Sequence, residues 1–69
     1  MKRWDRDQGK EIEAPDVDAF LNDLVSVCRK HGMSLGHEDP HGGFLVHREL
    51  LPANLGRLSE ASIAARGSA

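Results

Sequence analysis

The chain is poor in the features that usually announce a function. Its 69 residues hold one cysteine, Cys28, so no intramolecular disulfide can staple the fold. A CxxC pair is missing, which removes the usual structural zinc framework. No glycine-rich phosphate loop with its lysine occurs, and no internal repeat is visible. No apolar run approaches the roughly 18 residues that a membrane span needs. The start is charged and then polar, without a signal-peptide hydrophobic region. A soluble, cytoplasmic protein is expected, with Cys28 a free thiol in a reducing compartment. Basic side chains are missing from Glu11 to Cys28, a segment with five acids: Glu11, Glu13, Asp16, Asp18 and Asp23. The first ten residues lean the other way, with Lys2, Arg3, Arg6 and Lys10 against Asp5 and Asp7. The net charge of −2 argues against direct nucleic-acid binding, which favours basic chains.

This length allows one domain with a thin core. Small domains without staples often rely on a partner subunit, so a homodimer stands beside a well-packed monomer as an open alternative.

Residues 15–30 carry the clearest period. Val17, Phe20, Leu21, Leu24, Val27 and Cys28 recur at helical steps, with Val25 widening the stripe. Pro15 suits the first turn, and Asp16 and Asp18 complement the positive end of the dipole. Arg29, Lys30 and His31 complement its negative end, and Gly32 can take the left-handed stop. Asp16, Asn22, Asp23, Ser26 and Arg29 lie on the outer face, read either as a solvated face or as an acidic docking surface. Met33–Glu38 and Phe44–Glu49 read as a hairpin pairing Leu35 with Val46 and His37 with Phe44. Leu35, His37, Phe44 and Val46 then share a face that should pack on the helix. Pro52 begins a second helix using Leu51, Leu55 and Leu58, extending to about residue 65. Lys10–Glu13 is a weak edge strand, and Trp4 is placed in the core. The expected fold is α+β: one long amphipathic helix packed on a β-hairpin, a short second helix, and a third, N-terminal strand as an option. Residues 1–14 form an arm or edge strand, 15–65 the domain, and 66–69 a flexible tail.

The run from Cys28 to Val46, CRKHGMSLGHEDPHGGFLV, carries a likeness. It resembles small uncharacterised proteins encoded by bacteriophages and prophages. They share a helix ending in a K-x-G step, a His-Glu-Asp hairpin tip, a His-Gly pair and an aromatic-led strand. Asn54-Leu55 fits their second helix, and the likeness spans about residues 19–58. It implies a mobile-element origin, with an anti-CRISPR protein as one form, and brings no catalytic assignment.

The hairpin tip gathers His37, Glu38, Asp39 and His41. These could ligate zinc or nickel, but Asp39-Pro40 and Gly42-Gly43 also make ordinary turn chemistry. A Cys28–His31 pair lies at a touching helical spacing, yet Cys28 falls on the apolar stripe. His37 with Glu38 or Asp39 could act as an acid–base pair, without an enclosing pocket. The imidazoles could also sense pH. The leading expectation is a non-enzymatic protein, without cofactor or metal, that binds a host nucleic-acid-handling defence complex. Asp16, Asp18, Asp23, Glu38, Asp39, His37 and His41 would make that contact, the carboxylates acting as phosphate mimics. The alternatives are a homodimeric phage structural or regulatory protein, using Trp4, the hairpin edge and Leu55/Leu58, and a His/Asp metal-binding protein.

Overall fold

A computed structural model describes residues 1–38 and 42–64, with Glu38 described by its backbone alone. The order is β1 (Lys2–Asp5), β2 (Lys10–Glu13), α1 (Pro15–His31), β3 (Ser34–Glu38), β4 (Gly43–His47) and α2 (Pro52–Ser59). This is a small α+β fold with two antiparallel hairpins and two helices.

The helix α1 forms for the local reasons its sequence displays. Pro15 opens it, Asp16 and Asp18 occupy the first turn, and Arg29, Lys30 and His31 the last. Gly32 closes it in the left-handed region at φ 67°, donating its N–H to the Arg29 carbonyl. The Met33 N–H donates to the Cys28 carbonyl, so two late carbonyls are satisfied before the chain turns into β3.

The β3–β4 ladder takes the expected register, with Leu35 opposite Val46 and His37 opposite Phe44. Its inward face is the opposite of the expected one. Ser34 and Gly36 are buried and His47 is half-buried, whereas His37, Phe44 and Val46 are exposed. The Ser34 hydroxyl donates to the Glu49 carbonyl at 2.7 Å and accepts from the Leu51 N–H and the Asn54 amide at 3.3 and 3.4 Å. This polar node fastens β3 to the start of α2. A Cβ on Gly36 would sit 2.6 Å from His47 Nε2, so only glycine lets the ring and Asn54 close over the strand. Strand alternation then turns Phe44 and Val46 outward together.

The N-terminal segment is a complete hairpin in its own sheet, with Arg3 opposite Ile12 and Trp4 opposite Glu11. Arg3 and Asp5 point inward and Trp4, placed in the core by its size, is 49% exposed. Asp5 accepts from the N–H groups of Asp7 and Gln8 and from the Gln8 amide, which folds the β1–β2 turn around its carboxylate. Beyond β1, Ile63 donates its N–H to the Trp4 carbonyl and accepts from the Arg6 N–H. That bridge requires extended backbone, so α2 stops at Ser59 and does not run on towards residue 65.

Among the described residues the buried hydrophobic core is Ala14, Leu21 and Cys28. Val17, Leu24 and Val25 are half-buried, while Phe20, at 62% exposed, and Val27 lie outside the core. Successive helix positions turn by about 100°. The flank of α1 bearing Asp18 meets Arg3, and Val25 and Arg29 border a depression shared with Leu55 and Gly56 of α2. Phe20 and Val27 lie on the other flank, a quarter turn and more beyond Leu21, and both are exposed.

Candidate functional site

Of the seven expected contact residues, Asp16, Asp18, Asp23 and His37 have described side chains. Asp16 and Asp23, seven apart on α1, are both exposed and share its outer side. Asp18 faces another way and is fully engaged. Its carboxylate accepts from the Met1 ammonium at 2.9 Å and from Arg3 Nε at 2.6 Å. These hydrogen bonds, from the ammonium first and Arg3 second, hold the Asp18 carboxyl below its ordinary value. The Met1 ammonium is raised in return, mainly by Asp18 and next by Glu13 at 3.3 Å. Asp18 therefore has a structural role, because the buried Arg3 guanidinium donates to it. Asp39 and His41 lie outside the described residues, as does the Glu38 side chain. His37 is exposed on β3 and meets Phe44 edge-to-face, with ring centroids 6.1 Å apart.

Other chemistry expected of the chain finds little geometry. Cys28 is buried as a free thiol while His31 is exposed at the helix end. Among the described residues no group of three or more His, Cys, Asp or Glu side chains could hold a metal ion. No helix among them is long and apolar enough to cross a membrane.

Two features stand out that residue-type reasoning missed. One is the Arg3 anchor, which donates from Nη1 to the Ser59 and Ala61 carbonyls at 2.6 and 3.1 Å besides its pair with Asp18. The period-two alternation of Arg3, Trp4 and Asp5 was the available signal, but a buried arginine is uncommon enough to favour Trp4 inside.

The other is the outward side of the second hairpin. Phe44 is 74% exposed, Val46 65%, and Leu45 on the opposite face 40%. Among the described elements β4 packs on β3 alone. The adjoining depression, about 170 Å³, lies between Leu35, His37 and Phe44 of the hairpin and Asn54, Arg57 and Leu58 of α2. Its walls are largely apolar, and Arg57 Nη1 donates to Asn54 Oδ1 at 3.3 Å on its rim. This depression is open to solvent. Phe44 and Val46 thus expose large apolar side chains beside this depression.

Comparison with known proteins finds no matching family model, no matching curated protein and no matching solved structure.

Proposed function

We propose that this chain is a non-enzymatic protein-binding module, acting in the cytoplasm, that recognises its partner with the outward side of the second hairpin. The observation that carries this reading is the exposure of Phe44 and Val46 on a strand that, among the described elements, packs only against β3. An isolated protein gains nothing from two large apolar side chains in water. Burying them against a partner recovers hydrophobic free energy on the order of 1–2 kcal/mol each. The adjoining depression supplies relief for shape complementarity, and Arg57 and His37 supply a polar rim.

A photo-reactive amino acid placed at Val46, and a control at Ser26 on the outer side of α1, tests this in cells that make the protein. Crosslinks to protein should form from position 46 and not from position 26. Absence of crosslinks at 46, or equal yield from both sites, refutes the surface.

A second reading has one observation in its favour: Asp16 and Asp23 stand exposed on the same side of α1. A mobile-element protein could present them to the basic groove of a host nucleic-acid-handling complex. Reversing both charges should then abolish inhibition of that complex, and unchanged inhibition removes this reading. It does not use Asp18, whose carboxylate is taken internally.

A further inference from the structure

We infer that the partner of the second hairpin is another copy of this chain, joined β4 to β4 in antiparallel fashion to give one four-stranded sheet in the order β3-β4-β4-β3. This rests on the reading of the hairpin as a contact surface and names its occupant.

The sheet edges point to this pairing. The outer edge of β1 is bridged by Ile63, whose N–H donates to the Trp4 carbonyl and whose carbonyl accepts from the Arg6 N–H just past the strand. The edge strand β2, Lys10-Glu11-Ile12-Glu13, is short and charged, the usual protection against stray pairing. The strand β4, Gly43-Phe44-Leu45-Val46-His47, has no lysine, arginine, carboxylate or proline to protect it. A two-stranded ribbon is marginal unless a further strand or a helix covers it. Among the described elements β3 packs on both helices, whereas β4 packs on β3 alone. The edge of β4 away from β3 is where a further strand would add.

The strand is also complementary to itself. A two-fold axis through Leu45 sets Phe44 of each copy opposite Val46 of the other, and Gly43 opposite His47. Aromatic and β-branched residues form favourable cross-strand pairs, and no two carboxylates or basic lysine or arginine side chains meet. One patch that is its own complement suits an isologous two-fold interface, the commonest mode of association. Phe44, Leu45 and Val46 together expose roughly 300 Å² of apolar surface per chain. Doubling this and adding the paired backbone still leaves a contact at the low end of specific interfaces, below about 1,200 Å² in total. The dimer is therefore reversible, with dissociation expected in the micromolar range.

Sedimentation of the purified full chain across the micromolar range tests it. The expected result is a monomer–dimer equilibrium, with the amides of residues 43–47 exchanging more slowly as concentration rises. F44K and V46E should each stay monomeric and folded, since both side chains are mostly solvated in one chain. Mixed together, F44K and V46E should associate, because this register places the new ammonium opposite the new carboxylate. A wild-type monomer at every concentration overturns the inference. So does a dimer that survives both substitutions, or a dimer without exchange protection at residues 43–47. A monomeric wild type that still crosslinks to a different protein from position 46 sinks only the self-pairing. Loss of both results sinks the contact surface as well.

Discussion

Replacing Arg3 with methionine should remove the main tie between the first hairpin and the rest of the fold. The guanidinium is buried and donates to two backbone carbonyls, Ser59 at 2.6 Å and Ala61 at 3.1 Å, beyond its bond to Asp18. Those carbonyls lie where α2 ends, so they have no helical N–H to bond. A hydrogen bond involving a charged group contributes about 1.5–3 kcal/mol. The two carbonyl bonds alone put the loss for R3M at about 3 kcal/mol or more. The total stability of a chain this size is on the order of 3–10 kcal/mol. Urea unfolding, followed by circular dichroism and by the fluorescence of Trp4, the only tryptophan, measures this. With a slope of about 1 kcal/mol per molar urea, the midpoint should fall by about 3 M. R3K, which keeps the charge but not the fork, should lose roughly half as much. The comparison belongs at low protein concentration, where self-association does not add to apparent stability. A loss under about 1 kcal/mol for R3M would mean that Arg3 behaves as a solvated surface ion, and the account of the first hairpin would fail.

Ser34→Ala strips three partners from a buried node and should cost about 2–3 kcal/mol, read from the same urea midpoint; a neutral result would mean that water replaces the hydroxyl. Gly36→Ala should destabilise by about 1 kcal/mol and shift the His47 ring resonances, because the new methyl displaces that imidazole. The unfolding midpoint should be flat between the ordinary values of the two linked groups, about 3.8 for Asp18 and 8.0 for the Met1 ammonium. The lowered Asp18 carboxyl stabilises above 3.8, and that contribution is lost as pH falls through its folded value. The raised Met1 ammonium stabilises below 8.0, and that contribution is lost as pH rises through its folded value. D18N should flatten the acid limb, and an acid limb of unchanged slope would assign that loss to other carboxylates. F44K should change monomer stability by no more than about 0.5 kcal/mol, since Phe44 already faces water; a larger loss in dilute solution would show that the ring packs within its own chain.

The boundaries of α1 and the register of β3–β4 were legible because their causes lie within a few residues. Pro15, the acidic first turn, the basic last turn and Gly32 act locally, and two apolar runs a few residues apart pair with Leu35 against Val46. The inward face of that hairpin was not legible. Apolar content favoured Phe44 and Val46 inside, but Ser34 finds its acceptor fifteen residues away and Asn54 twenty away. Asp16 and Asp23 lie exposed on the outer side of α1, as the helical period indicates, while the Asp18 carboxylate pairs with Arg3, fifteen residues away.

By itself the sequence determined an α+β chain with one strongly capped amphipathic helix and a hairpin of known register, because capping, helical period and strand alternation are properties of neighbouring residues. Tertiary structure alone decided that Arg3 and Asp5 are inside and Trp4 half outside, that α2 ends at Ser59, and that Phe20, Phe44 and Val46 face water. A buried polar group is tolerated only when partners distant in the chain satisfy it, and those partners exist only once the elements have met.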